Sequence, residues 1–251
     1  MSYFCSGDTK LTRFDIVRTI DFLKMNNGFM FHTTYSLILL RMIYDYYLYS
    51  GDKTIIDYSI DTIHTLLELF DSYTAEDGLI TNPPNYMFVD HVVYDSYSLH
   101  HPPRALGETV LNAFYYDALN MAEILCKLAN DSKSSVYRKR ADKLKESFNK
   151  TFFDKEKELY FDGRNFNDEV IPWRPCEKNK RYYSVHSNTL AVLFGLCDEK
   201  LNKKLIEDIV NNKQLIQCNP YFMHFVIDAV YKTGLFDKYG LYLLRQWVKL
   251  V

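Results

Sequence analysis

Apolar residues recur at every third or fourth position along most of this 251-residue chain. That spacing places them on one face of an α-helix, because side chains three and four positions apart lie above one another. Nine helices are predicted from this pattern. They cover approximately residues 16–23, 35–49, 53–70, 108–128, 136–152, 187–196, 201–210, 220–232 and 237–248.

Polar breaks separate these helices and indicate where they begin and end. Ser50-Gly51-Asp52 ends the second helix, and Asp52 is a predicted N-cap for the third. Asn130-Asp131-Ser132 marks a similar break. On the first three helices, the side chains predicted to face inward are Ile16, Ile20, Leu23, Leu37, Leu40, Tyr44, Leu48, Ile56, Ile60, Ile63, Leu67 and Phe70.

Two long connections, 76–107 and 154–182, interrupt the helical pattern. Each contains an Asp-Gly pair, in EDGLI (76–80) and YFDGR (160–164), that predicts a tight turn. Connections this long are uncommon unless they carry function or form small sheets. The pattern therefore predicts an all-α fold, either a solenoid or a closed α/α toroid, as a single domain over 1–251 with both long loops on one face.

Composition supports a folded core and disfavours some partners. Hydrophobic residues make up 47% of the chain, and 21 Tyr and 17 Phe either fill that core or line a cleft for a sugar or nucleobase. The net charge of -2, with acids and bases interspersed, argues against duplex nucleic acid, which needs a concentrated basic face.

The five cysteines and the apolar segments bear on location. An odd number of widely spaced cysteines without a Cys-x-x-Cys motif predicts reduced thiols rather than disulfides or a zinc site. The first residues show no signal-peptide pattern, and the longest apolar stretch, 37–49, is too short and too charged to span a bilayer. We therefore expect a cytoplasmic protein that does not bind membranes.

Residues suited to chemistry concentrate in and after the long connections. Carboxylates, histidines and aromatic rings together are typical of carbohydrate sites, because carboxylates bind hydroxyls or transfer protons while rings stack on the sugar. The candidates are Asp90, His91, Asp95, His100, His101, Arg104 and Glu108 in the first region, and Trp173, Arg174, Tyr182, Tyr183 and His186 in the second.

Structural roles remain open for several of these candidates. Asp90 and His91 cannot both face one way in an extended segment, so one of them can be a turn cap. Glu108 can instead satisfy the first amides and the dipole of its helix, and His186 can be a structural histidine. Adjacent histidines such as His100-His101 rarely converge on one ion, so we expect no metal and no cofactor.

Several motifs resemble those of bacterial α-L-rhamnosidase-like glycoside hydrolases in order and spacing. They are YFCSGDTKLTRFDIVRTIDFL, YDYYLYSGDKTII, EDGLITNPPNYMFVDH, LGETVLNAFYYDALNMAEIL, VHSNTLAVLFGL and NPYFMHFVIDAV followed by LLRQW. The resemblance covers nearly the whole chain. It implies a six-hairpin α/α toroid and inverting hydrolysis of terminal rhamnosides. It also implies that Asp90 contacts the sugar at the mouth of the cleft, with His91 where many relatives have Trp.

The same resemblance implies departures from the family. Relatives carry the general acid before the region that this chain matches and the general base after the LLRQW-like helix, and this chain contains neither segment. Inversion needs two carboxylates about 6.5–9.5 Å apart with a water between them. A complete toroid has twelve helices whereas nine are predicted here, so we expect an incomplete toroid.

Three interpretations follow. The chain is an inactive fragment of a hydrolase, a diverged hydrolase that uses Asp90, Asp95 or Glu108, or a non-catalytic helical protein that binds carbohydrate or a partner. An open toroid exposes the apolar sides of its end helices. We therefore expect homo-oligomerisation or pairing with the missing part of the toroid. The resemblance to glycoside hydrolases implies a carbohydrate ligand.

Overall fold

The computed structural model describes residues 6–81, 87–94, 97–100, 108–164 and 180–247. All nine predicted helices are present. They are α1 (Lys10–Met25), α2 (Thr33–Ser50), α3 (Thr54–Asp71), α4 (Glu108–Ala129), α5 (Ser134–Phe152), α6 (Val185–Leu193), α7 (Asn202–Asn211), α8 (Pro220–Lys232) and α9 (Phe236–Trp247).

Both long connections contain a small antiparallel ribbon of their own. In the first, β1 (Val92–Tyr94) pairs with β2 (Tyr97–Leu99). In the second, β3 (Phe153–Asp154) pairs with β4 (Leu159–Tyr160). These ribbons agree with the expectation that such long connections form small sheets or carry function.

The chain divides into two compact units. The first comprises Met1–Tyr86 and Phe114–Leu144, and the second comprises Met87–Ala113 and Lys145–Val251. They are called unit 1 and unit 2 below, and each is described by itself. That both belong to a single domain stays a prediction.

In unit 1, helices α1, α2 and α3 pack against one another. Ile16, Ile20 and Leu23 are fully buried, as the sequence predicts. On α2 the prediction is wrong at its end, because Leu48 is 57% exposed and Tyr46 is buried instead.

The buried face of α2 advances by three residues at each step, through Leu37, Leu40, Ile43 and Tyr46. Steps of three and four are equally compatible with helical spacing, so the apolar pattern alone does not distinguish them. On α3 the predicted inward side chains are buried except that of Ile60, which is half-buried.

The predicted break between α2 and α3 is present, but the N-cap of α3 is Lys53, which makes no side-chain cap hydrogen bond, and the predicted N-cap Asp52 lies one residue before it. Gly51 ends α2 with a left-handed φ of 70°, and its N–H donates to the carbonyl of Tyr47. Asp52 Oδ1 then accepts a hydrogen bond from Thr54 N at 3.0 Å. A side-chain acceptor here satisfies one of the amides that the first turn of a helix leaves without a partner.

Of the two predicted Asp-Gly turns, one is found. Gly78 has a φ of 85°, and its N–H donates to Ala75 O at 2.8 Å. The second prediction is wrong: Asp162-Gly163 forms only a bend, and the turn of that connection spans residues 155–158 between β3 and β4. The physical reason is that Asp162 is completely buried and its carboxylate binds other segments.

In unit 2, the short helix α6 is the centre of the core. It contacts α7, α8 and β4, and α8 in turn contacts α9. Every residue from Val185 to Val192 is buried. Because α6 has no exposed face over these residues, its polar side chains have to find partners inside the protein.

None of the helices in the described ranges combines the length and apolar character that a membrane-spanning helix requires.

We expect Gly28→Ala to destabilise the protein more than Gly51→Ala. Both glycines have left-handed φ values, 79° and 70°, which cost a residue with a Cβ about 1–2 kcal/mol. A Cβ at position 28 would also lie 3.0 Å from Leu66 Cα, whereas one at position 51 meets nothing within 4 Å. The crowding should add about 1–3 kcal/mol in a urea unfolding experiment. Equal losses for the two variants would contradict this packing.

Candidate functional site

A buried pair formed by Asp90 and His186 lies at the centre of the candidate site. His186 is the second residue of α6, and its Nε2 lies 2.9 Å from Asp90 Oδ2. Both side chains are 0% exposed. Burial lowers the pKa of His186, although the neighbouring carboxylate partly offsets this effect. The ring is therefore neutral near pH 7 and donates its Nε2–H to Asp90.

Asp90 also binds the start of α8 and its own neighbour. Asn219 N donates to Asp90 Oδ2 at 2.7 Å, and His91 N donates to Oδ1 at 2.8 Å. Asn219 in addition donates from its side chain to the carbonyl of His91. Asp90 thus joins the first long connection to α6 and to α8, and its enclosed oxygens could meet a ligand only after a rearrangement.

Four partly exposed rings form what we call the aromatic rim: Phe88, His91, His100 and Tyr221. The centroid of Phe88 lies 5.4 Å from that of His91, 5.5 Å from that of His100 and 5.7 Å from that of Tyr221. The side chains of His91 and Tyr221 are exposed. Asp90 points inward and His91 outward, which is the alternation expected of an extended segment.

Glu108 holds the second long connection against the start of α4. Its carboxylate accepts hydrogen bonds from Arg164 N at 3.0 Å, Nε at 2.9 Å and Nη2 at 2.6 Å. Thr109 adds a bond from its hydroxyl to Phe161 O at 2.6 Å. Glu108 is only 4% exposed, and its buried charge is satisfied by two guanidinium donors on Oε1 and by the backbone N–H of Arg164 on Oε2.

Asp162 is a buried acid that is not among the candidates predicted from the sequence. Its Oδ1 accepts hydrogen bonds from the hydroxyls of Ser184 and Ser187 at the start of α6. Its Oδ2 has no hydrogen-bond partner among the described residues. Complete burial raises the pKa of Asp162 to about 7, although the two serine bonds act in the opposite direction. The Asp-Gly pair indicated only a turn, so its sequence signal pointed to the wrong role.

The pKa of Asp154 is shifted in the opposite direction to that of Asp162. Asp154 accepts hydrogen bonds from Tyr183 Oη at 2.6 Å and from Arg181 Nη1 at 3.0 Å. Led by the Tyr183 hydrogen bond, these donors lower the pKa of Asp154 to about 2. The candidate Tyr183 is thus a hydrogen-bond donor to Asp154 in β3. The candidate next to it, Tyr182, is buried, with 3% of its surface exposed.

The remaining sequence candidates lie outside the described residues: Asp95, His101, Arg104, Trp173 and Arg174. The structure thus brings Asp90, His91, His100 and His186 together, and places Glu108 with Arg164. A contact between any of these side chains and a sugar stays a prediction.

The chain matches a known family model over most of its length. The model is described as the bacterial alpha-L-rhamnosidase 6 hairpin glycosidase domain, and it matches residues 27–235. No curated protein matches the chain.

Solved structures of rhamnosidases share the fold. A rhamnosidase from Klebsiella oxytoca with rhamnose bound gives a TM-score of 0.69 at 19% identity, covering 87% of this chain and 37% of that one. A GH78 family rhamnosidase from Bacillus sp. GL1 gives 0.66 at 18% identity, covering 81% of this chain and 20% of that one. The fold is therefore all-α and of the six-hairpin toroid type, as the sequence predicts. The chain spans between a fifth and about two fifths of the length of these structures.

We expect Asp162→Asn to gain stability relative to the unsubstituted protein as the pH rises. The unfolded chain ionises Asp162 near its ordinary pKa of 3.8, and the folded protein does so near 7. Between these values the folded state binds more protons, so stability falls with rising pH, and asparagine removes this effect. From pH 5 to pH 8 the relative gain should reach at most about 2–3 kcal/mol in urea unfolding.

Asp154→Asn is the matched control. Since the folded pKa of Asp154 is about 2, this carboxyl is ionised in both states throughout the same pH range. The stability difference between Asp154→Asn and the unsubstituted protein should therefore stay constant from pH 5 to pH 8. A constant difference for Asp162→Asn as well would show that the Asp162 carboxyl is ionised at neutral pH.

Proposed function

Because the chain belongs to the bacterial α-L-rhamnosidase six-hairpin glycosidase family, we propose that it recognises a terminal L-rhamnosyl group. The reaction that we propose for the protein is hydrolysis of terminal rhamnosides with inversion. The family match over residues 27–235 supports the class of substrate. The similar structure from Klebsiella oxytoca, whose title states that rhamnose is bound, agrees with it.

The aromatic rim is the observation that carries this proposal. Rhamnose is a 6-deoxy sugar, so it presents a methyl group and an apolar C–H face that favour contact with aromatic rings. The exposed rings His91 and Tyr221 come from two separate segments, and both contact Phe88. We assign the sugar contact to these two rings.

The other predicted site residues then have supporting roles. Asp90 and His186 position the rim, because Asp90 binds the backbone of His91 and of Asn219. Glu108 positions the second long connection through Arg164. For Asp95 and Trp173, which lie outside the described residues, we retain the proposed contact with substrate.

A second candidate function is carbohydrate binding without catalysis. Inversion requires a protonated carboxyl group beside the leaving-group oxygen and an ionised carboxylate that activates a water on the opposite face of the sugar. Among the described residues of unit 2, the buried acids Asp90, Glu108, Asp154 and Asp162 already accept hydrogen bonds from other parts of the protein. This commitment of the buried carboxylates favours recognition over acid–base chemistry for the described residues.

Location and assembly stay proposals. The free thiols of Cys126, Cys197 and Cys218 support the proposed cytoplasmic location. Helix α1 exposes the large side chains Leu11, Phe14, Phe22 and Met25, which supports self-association or pairing with the rest of a toroid.

We expect the purified chain to bind L-rhamnose in isothermal titration calorimetry and to release rhamnose from an aryl α-L-rhamnoside. Proton NMR during hydrolysis identifies the first anomer formed, which inversion predicts to be β. Either His91→Ala or Tyr221→Ala should weaken rhamnose binding about tenfold, as expected for loss of a ring contact worth about 1.4 kcal/mol.

Tyr231→Ala is the matched control for Tyr221→Ala. Tyr231 lies on the same helix and is 73% exposed, but its ring packs against Phe236 rather than in the rim. This variant should bind rhamnose as the unsubstituted protein does. Binding without turnover would identify the second candidate function, and absence of both binding and turnover would contradict both candidates.

A further inference from the structure

The end of helix α4 brings two metal-binding side chains together. Asn130 adopts a left-handed φ of 58°, which turns the chain back on the last turn of the helix. Asp131 N then donates to the carbonyl of Cys126 at 2.8 Å. This backbone arrangement places the carboxylate of Asp131 beside the buried thiol of Cys126, although the two residues are not adjacent in the sequence.

Helix α3 supplies a third donor at the same place. His64 Nε2 lies 3.0 Å from Asp131 Oδ2. The ligand atoms of His64, Cys126 and Asp131 all lie within 4.8 Å of one another. The three residues are called the His–Cys–Asp cluster below, and all of them belong to unit 1.

We propose that the His–Cys–Asp cluster binds one divalent transition-metal ion with the preferences of Zn²⁺. Imidazole nitrogen, thiolate sulfur and carboxylate oxygen are the three donor types that zinc accepts in proteins. A thiolate disfavours Mg²⁺ and Ca²⁺, which select oxygen donors. Three protein ligands leave one position of a tetrahedral ion for water or another ligand.

The surroundings of the cluster suit a cation. Tyr137 Oη lies 2.6 Å from His64 Nδ1. When Nε2 binds a metal, the ring proton resides on Nδ1 and donates to this hydroxyl, which fixes the orientation of the imidazole. The cluster also lies at the C-terminal end of α4, where the helix dipole favours positive charge.

Two further charged groups lie close by. The positive charge of Lys133 disfavours cation binding, but its ammonium forms an ion pair with Glu68 at 3.0 Å. Its backbone N–H holds Asp131 Oδ1 at 2.7 Å, which leaves Oδ2 directed towards His64. Glu68 follows His64 by one helical turn and adds a negative charge on the same face of α3.

No metal is expected from the sequence, because the three donors of the cluster do not form a short motif. His64 is 62 positions before Cys126, and Asp131 belongs to a segment that indicated only a helix break. The arrangement depends on the pairing of α3 with the end of α4, which no local pattern contains.

The test is a metal titration of the full chain after removal of metals with a chelator. Zn²⁺ alone is added in competition with a chromophoric zinc indicator, and Co²⁺ is added in a parallel experiment. We expect one equivalent of Zn²⁺ to bind and the melting temperature to rise. Bound Co²⁺ should show the charge-transfer absorption of a cobalt–thiolate bond.

Four variants make the outcome specific. Cys126→Ala should abolish the cobalt–thiolate absorption and weaken Zn²⁺ binding at least a hundredfold, whereas Cys197→Ala, which removes another buried free thiol, should change neither. Tyr137→Phe should weaken binding about 10–100-fold, as expected for a group that orients a ligand. Asp131→Asn, at a partly exposed side chain, provides a second ligand variant if Cys126→Ala does not fold.

Two results would overturn the proposal. One is the absence of saturable binding of one Zn²⁺ per chain. The other is equal affinity in the unsubstituted protein and in a folded Cys126→Ala or Asp131→Asn variant, with folding verified by circular dichroism.

Discussion

The burial of helix α6 is the constraint on which unit 2 depends. This helix is short, and its residues Val185–Val192 are all buried. The segment that forms it nevertheless contains Ser184, His186, Ser187 and Asn188, whose polar groups would be costly to bury without partners. Each of these four residues has at least one hydrogen-bond partner, although His186 Nδ1 and the hydroxyl of Thr189 have none among the described residues. Acids and carbonyls from distant segments supply most of these partners.

Those partners come from both long connections. Asp90 binds His186, Asp162 binds the two serines, and the backbone of Tyr160 pairs with the side chain of Asn188. The hydrogen bonds of α6 thus fix Asp90 in the first long connection, and Tyr160 and Asp162 in the second. Asp90 in turn binds the backbone of His91 and of Asn219. The position of the aromatic rim therefore depends on the hydrogen bond between Asp90 and His186.

Two adjacent residues, Asp90 and His91, have different roles in this arrangement: the first binds other segments and the second belongs to the aromatic rim. The acid lies inside and holds three segments together, while the imidazole next to it faces outward among other rings. A buried ion pair or hydrogen-bonded pair often contributes more to a unique conformation than to stability. We infer that Asp90 and His186 contribute to recognition through the position of the rim.

The helices were predictable from the sequence because helical spacing and capping are local. The break at Gly51-Asp52 and the first residue of α8, Pro220, follow from such local signals, although the N-cap of α3 is Lys53 and not Asp52. Leu48 was assigned to the wrong face, since apolar spacing does not define which of two adjacent stripes is buried. The fold type followed from the order of several motifs along the chain.

Most of the candidate site depended on contacts that are distant in sequence. Asp90 and His186 are 96 positions apart, and no local pattern indicates that they meet. Asp162 was read as a turn residue, because an Asp-Gly pair is a turn signal unless burial gives the carboxylate other partners. The role of Glu108 depended on Arg164, which lies 56 positions away.

The protonation and tautomer of His186 test the central claim most directly. Nitrogen NMR of the ¹⁵N-labelled protein distinguishes a ring protonated at Nε2 from one protonated at Nδ1 or at both. We predict a neutral ring that carries its proton on Nε2 at pH 7, because burial lowers its pKa and Asp90 accepts that proton. A His186 ring that titrates near pH 6.5, or that carries its proton on Nδ1, would contradict it.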